Sequence, residues 1–447
     1  MKWIPVSLWA VAWAAAGLPP AAASDLDTRV AAELPALVEL YQQLHRQPEL
    51  SYHEEETAAR MAEELHALGF EVTERVGDYG VEGRIAYGVV GVLRNGDGPT
   101  VYVRTDLDGL PVLERTGVAY ASRATGPGEG GEPVPTMHAC GHDVHMASWV
   151  GTARLLAAMR ERWSGTLVMI GQPAEERGAG ALAMLADGLY ERFPRPDYAL
   201  ALHTSAALPA GRIGFVPGYA LANVDTVEIT VRGKGGHGAY PHTTKDPITL
   251  AAQIILNLQT IVSRQVSPLD PAVITVGSIH GGAKSNVIPD EVELQLTVRS
   301  YRPQVREYLL ESIRRVARQS ALAAGVPPEL APIVHHAEEE FTPSTYNDPD
   351  LVDRLERVLV EALGEGEVSR ESPVMGGEDF GRFGLEGEVP IALLWLGGVD
   401  AARVAAAAAS GESLPSLHSS EFAPIPEPTL RGGVTAMTAA VLDLMAP

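Results

Sequence analysis

Short apolar runs alternate with helix-like stretches through the first half of the chain. Residues 25–45 and 54–68 carry apolar side chains at helical spacing, and Gly69 stands where the second helix would end. The apolar runs are residues 89–93, 100–103, 166–170 and 198–202. Continuous runs of this length are typical of strands buried on both faces of a sheet. This alternation predicts an α/β unit built on a buried sheet.

Polar residues follow three of these runs directly. They are residues 105–108, 172–176 and 203–204. In open α/β sheets, ligands bind just beyond the carboxyl ends of the strands. Three such strand ends therefore predict one shared site.

The pattern changes near Ala222. Residues 227–231 and 292–298 alternate apolar with polar positions, which is typical of a half-exposed antiparallel sheet. Helices over 246–264 and 303–324, with strands over 273–279 and near Ile333, complete the order β-α-β-β-α-β. We expect a ferredoxin-like domain over residues 222–335, inserted into an α/β domain formed by residues 24–221 and 336–447.

The last part of the chain returns to the α/β pattern. It predicts a helix over residues 351–363, a buried strand over 391–396 and a final helix over 428–445. The Gly-, Pro- and Glu-rich residues 125–135 are expected to form a loop. The fold class is therefore α/β, with a mixed sheet and an inserted ferredoxin-like domain.

The first 23 residues have the features of a secretory signal peptide. A short basic start at Lys2 precedes an apolar run over residues 3–18, two prolines and the small residues 21–23. A membrane anchor is the alternative, but the run is short for a span and ends in prolines. We expect cleavage after Ala23 and a mature protein that is secreted or periplasmic, with no membrane attachment after cleavage.

Composition narrows the possible partners. The chain has 447 residues, 46% of them hydrophobic, and a formal net charge of −23 from 34 Lys and Arg against 57 Asp and Glu. This is the composition of a globular chain long enough to form two or three structural units. The acid excess argues against binding to nucleic acid or an anionic membrane. A single cysteine excludes an internal disulfide.

That cysteine lies in the segment richest in potential metal ligands. Cys140 is two residues from His142, and His138 and His145 flank the pair. A lone cysteine is more often an inert buried residue. Here, thiolate and imidazole suit Zn²⁺ and related ions, and a glycine between the two lets the backbone turn so that both face one ion. Asp143 is expected to cap the following helix or to orient His142.

Three other sites could complete the ligand set. Glu175 and Glu176 follow a buried strand, so one carboxylate could hold metal while the other accepts a proton from water. His203 ends another strand, and His418 lies in a polar segment near the end of the chain. With Cys140 and His142, residues Glu176, His203 and His418 make five ligands, which favours two ions bridged by the thiolate.

The motifs carrying these residues resemble the M20 metallopeptidase family, in particular its amidohydrolase branch of N-acyl-amino-acid, hippurate and auxin-conjugate hydrolases. The resemblance runs in order over about residues 34–444, and other branches of the family have Asp where this chain has Cys140. The motifs are MHACGHDVH (137–145), QPAEE (172–176), LH (202–203), GGHGAYPH (235–242), NVIP (286–289) and GEDF (377–380).

The resemblance implies a role for each matched residue. Two divalent ions, Zn²⁺ or Mn²⁺ or else Co²⁺ or Ni²⁺, would be held by Cys140, His142, Glu176, His203 and His418. Glu175 would be the general base and acid, Asp106 would support the ligands, and His237 would stabilise the oxyanion. Asn286, Arg299 and Gly377 would hold the substrate. The inserted domain would act as a lid through which two copies dimerise, and in some relatives its groups act in the partner subunit.

Together these expectations describe a secreted two-metal hydrolase of N-acyl amino acids. The chain departs from the branch pattern at residues 104–109, at Arg177 and in the longer segment 125–135, which bears on the acyl pocket. Three alternatives stay open: an aminopeptidase, carboxypeptidase or dipeptidase of the same family; a thiol amidase with Cys140 as nucleophile; and a non-catalytic metal- or ligand-binding protein.

Overall fold

A computed structural model describes residues 20–128 and 130–447 of the chain. Most of the predicted signal peptide, residues 1–19, lies outside the described residues, and the first helix begins at Pro20. Within the described ranges, no helix is both long enough and apolar enough to cross a membrane.

The central element is a mixed sheet of eight strands. The four apolar runs of the first half form four of its strands, and residues 391–396 form a fifth, as predicted. Three of the first-half strands run parallel to one another, and the fourth pairs antiparallel at their side. In spatial order the strands are β1 (Glu71–Val76), β2 (Gly88–Asn95), β6 (Gly165–Gln172), β3 (Thr100–Asp106), β7 (Tyr198–Pro209), β18 (Ile391–Val399), β8 (Ile213–Phe215) and β17 (Val368–Arg370).

Helices pack against both faces of this sheet because its strands are apolar on both sides. The helix after Cys140 is buried almost throughout, so its sequence carries no amphipathic period, and it packs between the sheet and the first and last helices. The helices are α1 (Pro20–Arg46), α2 (Glu55–Ala67), α3 (His142–Ala158), α4 (Gly180–Ala186), α5 (Leu189–Arg192), α6 (Pro247–Arg264), α7 (Pro303–Ala323), α8 (Pro349–Leu363), α9 (Ala401–Ser410) and α10 (Pro426–Leu444).

A second sheet of four antiparallel strands lies within the predicted insertion. Its buried positions alternate with more exposed ones, and its buried face packs on α6 and α7. The chain order is strand, helix, two strands, helix, strand, which confirms the ferredoxin-like prediction; the boundaries at 222 and 335 stay a prediction. In spatial order the strands are β12 (Ala272–His280), β14 (Glu291–Ser300), β10 (Asn223–Arg232) and β15 (Ile333–His336).

Three short pairs complete the strands of the described chain. One of them corrects a prediction, because part of the segment expected to be a loop, residues 125–135, forms a hairpin. Another joins the segments that lead into and out of the second sheet. The pairs are β4 (Thr125–Pro127) with β5 (Pro133–Pro135), β9 (Gly218–Leu221) with β16 (Thr345–Asn347), and β11 (Gly236–His237) with β13 (Val287–Ile288).

Candidate metal centre

The three polar strand ends meet, as expected from their order in the sheet. β6, β3 and β7 are parallel neighbours, so the residues after each strand lie at one edge. Cys140 Sγ is 3.7 Å from Nε2 of His203. His142 Nε2 is 3.7 Å from Oε1 of Glu176. Cys140, just before α3, and His142, the first residue of α3, therefore lie at the same edge as the strand ends.

Gly141 presents Cys140 and His142 to this edge. Its backbone is left-handed, with φ of 87°, and a Cβ at this position would lie 2.5 Å from Oγ1 of Thr204. Only glycine fits both requirements without rearrangement. The tight turn predicted between the thiol and the imidazole is therefore present.

The predicted role of Asp143 is wrong. Helix α3 begins two residues earlier than expected, at His142, so Asp143 lies in its first turn and does not cap it. Its side chain accepts hydrogen bonds from the backbone N–H of Val144 and pairs at 2.6 Å with Nδ1 of His45. His142 is oriented instead by the backbone carbonyl of Asp108, which lies 2.8 Å from its Nδ1.

His418 reaches the site from the far end of the chain. Its backbone is left-handed, with φ of 65°, and its N–H donates to the carbonyl of Ala139. Its Nε2 is 3.5 Å from Oε2 of Glu176, and its side chain is 54% exposed. The imidazole of His418 therefore lies on the open side of the site.

The five predicted ligands form two groups that share one atom. Ligand atoms of Cys140, His142 and His203 lie within 4.8 Å of one another, and so do those of Cys140, Glu176 and His418. A shared thiolate between two groups is the arrangement expected for a bridged pair of ions.

The residues present fit divalent ions. His142 Nε2 and Glu176 Oε1 are buried and have no hydrogen-bond partner within the described residues. Buried polar atoms without partners are unfavourable unless a ligand or cation satisfies them. Thiolate, imidazole and carboxylate together suit Zn²⁺, Mn²⁺, Co²⁺ or Ni²⁺.

Glu175 lies beside these ligands, with Oε2 3.7 Å from Nε2 of His142. It is 8% exposed, and burial raises the pKa of its carboxyl well above the usual range, with further contributions from the carboxylates of Glu378 and Glu176. A carboxyl in such an environment takes up a proton readily. Its position and proton affinity suit a general base and acid.

Behind the ligands lies a buried cluster of charges that the sequence interpretation missed, apart from Asp106. Arg104 pairs with Asp106 at 2.8 Å, with Glu378 at 2.9 Å and with Asp379 at 3.3 Å. Asp106 also pairs at 2.7 Å with Nδ1 of His145, and its Oδ2 lies 3.6 Å from Nε2 of the predicted ligand His142. A signal for the cluster was present, since Arg104 is a charged residue directly after the apolar run of β3 and shares that strand with Asp106.

The predicted substrate-binding residues do not all lie together. Arg299 and Gly377 line a cleft of about 930 Å³ that also contains Cys140, Glu175 and His418. His237 and Asn286 are exposed and are not among the described residues that line it. These two are instead neighbours on β11 and the loop before β13, where the N–H of Gly238 donates to the carbonyl of Asn286.

Comparison with known proteins gives a family and several relatives. Residues 102–414 match the model of peptidase family M20/M25/M40. The chain is 37% identical to thermostable carboxypeptidase 2 of Saccharolobus solfataricus over 78% of this chain and 82% of that protein. It is 34% identical to an N-acetylcysteine deacetylase of Bacillus subtilis over 81% of this chain and 88% of that protein.

Among solved structures, the YXEP protein of Bacillus subtilis is similar to this chain. It is described as a dinuclear metal binding peptidase from the M20 family. The TM-score is 0.70 at 28% identity, and the match covers 95% of this chain and 100% of that protein.

Proposed function

We propose, from the premise that this chain belongs to the M20/M25/M40 peptidase family, that it is an exported two-metal hydrolase of N-acyl amino acids. The chain is a metal-dependent hydrolase of amide bonds of the amidohydrolase branch. One observation carries the finer proposal: the buried carboxyl of Glu175 lies beside five convergent ligands and opens on a cleft of substrate size.

The relatives support two substrate classes. The similarity to an N-acetylcysteine deacetylase favours small N-acyl amino acids as substrates of this chain. Arg299 lines the cleft, where its guanidinium would bind the free carboxylate of the amino-acid half. A carboxypeptidase at 37% identity supports a second candidate, cleavage of a C-terminal residue from a peptide. Both reactions hydrolyse the amide next to a free carboxylate.

Each ligand and acid group has a place in the proposed reaction. Cys140, His142, Glu176, His203 and His418 would hold two divalent ions, which when bound polarise the amide carbonyl and make water a better nucleophile. Glu175 would accept a proton from the attacking water and donate it to the leaving amine. Burial raises the pKa of Glu175, which favours acceptance of that proton.

His237 and Asn286 would act only after a change of position or from a second copy. Both lie on the second sheet domain, outside the lining of the cleft. We propose that this domain is the lid, and that these residues reach the substrate by closure over the cleft or from the lid of a dimer partner. His237 would then donate to the oxyanion.

Purified protein stripped of metal and reloaded with Zn²⁺, Mn²⁺, Co²⁺ or Ni²⁺ tests the function. Release of amine would be measured from N-acetyl and N-benzoyl amino acids and from dipeptides. We expect turnover of the N-acyl amino acids with at least one ion. Fully loaded protein that releases no amine from any substrate would indicate a binding protein instead, and faster dipeptide cleavage would favour the peptidase.

Export is tested separately, by N-terminal sequencing of protein recovered from the periplasm or medium. The proposal predicts a mature chain that begins at Ser24, and an intact chain retained in the cytoplasm would contradict it.

A further inference from the structure

Glu54 is a fully buried carboxyl at the position that precedes helix α2. A side chain at this position often caps the first turn of its helix. Here Glu49 makes the cap, because its carboxylate accepts hydrogen bonds from the N–H of Thr57 at 2.7 Å and of Glu56 at 3.3 Å. Oε1 of Glu54 instead accepts a hydrogen bond of 2.7 Å from the N–H of Ala174.

Ala174 has an unfavourable backbone conformation. Its φ of 48° and ψ of 43° are left-handed, a region that residues with a Cβ rarely adopt. It directly precedes Glu175, so its dihedral angles bear first on the direction in which the carboxylate of Glu175 leaves β6. The hydrogen bond that the N–H of Ala174 donates to Glu54 therefore restrains the residue that aims the proposed base.

A second carboxylate holds the next two amides of the same turn. The N–H groups of Glu175 and Glu176 donate to the two oxygens of Asp108, at 3.2 Å and 3.1 Å. The N–H groups of three successive residues, 174 to 176, thus donate to two buried carboxyls. These carboxyls, of Glu54 and Asp108, lie in different parts of the chain. Of these two carboxyls, Glu54 is the one that accepts from the left-handed residue itself. The carbonyl of Ala174 also accepts from the N–H groups of Ala179 and Gly180, so Glu54 restrains the amide side of this residue.

Stability alone does not account for a carboxyl at position 54. Oε2 of Glu54 has no hydrogen-bond partner within the described residues. Burial, with the neighbouring charge of Asp108, raises the pKa of Glu54 to about 8. A buried polar oxygen without a partner is unfavourable, so an apolar side chain would suit folding at least as well.

We propose that Glu54 is a positioning residue for catalysis, holding Ala174 in its left-handed conformation so that Glu175 faces the substrate amide. The inference rests on the proposed function, because it assumes that Glu175 is the base. It predicts that removing the hydrogen bond lowers kcat and leaves KM, metal content and melting temperature unchanged.

Three variants of the full metal-loaded chain separate positioning from folding. Glu54→Met fills the space without an acceptor, and a misdirected base should lower kcat by about 100-fold. Glu54→Gln keeps an oxygen that can accept the bond and should restore kcat to within about fivefold of the wild type. Glu54→Asp keeps the carboxyl but is one methylene too short for Ala174, and should resemble Glu54→Met in kcat.

Glu49→Ala is the matched control, because it removes the cap of the same helix from the same loop. It should lower the melting temperature and leave kcat unchanged.

Each variant would be measured for kcat, KM, bound metal per chain and melting temperature. Loss of kcat in both Glu54→Met and Glu54→Asp, with recovery in Glu54→Gln, supports the inference. The inference is overturned if Glu54→Met or Glu54→Asp keeps kcat within about threefold of the wild type. It is also overturned if all three variants lose kcat together with bound metal or with a lower melting temperature.

If Glu54→Met does not fold, the kcat of Glu54→Asp decides. A wild-type chain that hydrolyses no amide refutes the proposed function and the inference together, whereas an active wild type with unchanged variants refutes the inference alone.

Discussion

The guanidinium of Arg104 donates a hydrogen bond of 2.9 Å to the carboxylate of Glu378, 274 positions later in the chain. Arg104 lies on β3, and Glu378 lies in the part of the chain that follows the second sheet. The same guanidinium contacts Asp106 and Asp379, and all four side chains are buried. One cation therefore joins the two parts of the main domain beside the predicted metal ligands.

Removing that cation should destabilise the fold strongly. Arg104→Met leaves three carboxylates buried without their counter-charge, which typically costs about 3–5 kcal/mol. Urea unfolding of the two proteins measures the difference. Arg94→Met, which breaks an exposed pair with Glu71, is the control and should cost less than about 1 kcal/mol. Equal effects of the two variants would contradict the role given to the buried cluster.

The free energy of unfolding should fall as the pH rises from 6.5 to 9, because His45 loses its proton in the folded chain over this range. Burial disfavours its charged form, but hydrogen bonds to Asp143 and Glu114 outweigh burial and raise its pKa to about 9. A group whose pKa is raised on folding stabilises the fold fully below its unfolded pKa of 6.5 and loses that contribution as the pH passes 9. The contribution is roughly 3 kcal/mol.

Urea unfolding across this pH range, with His45→Asn for comparison, measures that contribution. The variant lacks the titrating group, so its stability should change less between the two pH values. Parallel curves for the two proteins would exclude a charged His45 in the folded chain.

Cys140→Asp should keep both metal binding and amide hydrolysis. A carboxylate can bridge two ions, and no covalent intermediate through sulfur is possible in this variant. Metal analysis and amine release measure the two properties. Hydrolysis abolished in a variant that still binds its full metal content would favour Cys140 as a nucleophile.

Chelation should lower the melting temperature. Ions that bind only the folded chain add about 2.7 kcal/mol each when present at 100 times their dissociation constant. Thermal unfolding with and without chelator, alongside metal analysis, measures this linkage. His203→Ala should bind less metal and respond less to chelator. An identical melting temperature in both conditions would contradict a metal site at these residues.

Much of the fold could be predicted because it depends on local patterns. The continuous apolar runs identified β2, β3, β6 and β7, and the alternation at residues 227–231 identified a sheet with one exposed face. The start of α3 was predicted two residues late because a left-handed glycine, Gly141, and not Asp143, precedes it. The hairpin within residues 125–135 was missed because turn-rich composition does not distinguish a loop from two very short strands.

The site was predictable only where residue type indicates chemistry. Thiol, imidazole and paired carboxylates indicated five candidate ligands, and the structure brings the five side chains together. Arg104 pairs with Glu378 through a contact between distant segments of the chain. Glu49, and not Glu54, caps α2, which is a choice between two similar side chains. No periodicity in the sequence contains that information.

The most direct test of the account is the turnover of Glu175→Gln at full metal loading. The variant keeps the shape of the side chain and all five ligands, so its bound metal should equal that of the wild type. It cannot accept the proton of the attacking water, so kcat on the best N-acyl amino acid should fall by about 100- to 10,000-fold. Unchanged turnover with full metal content would contradict the assignment of Glu175 and the mechanism built on it.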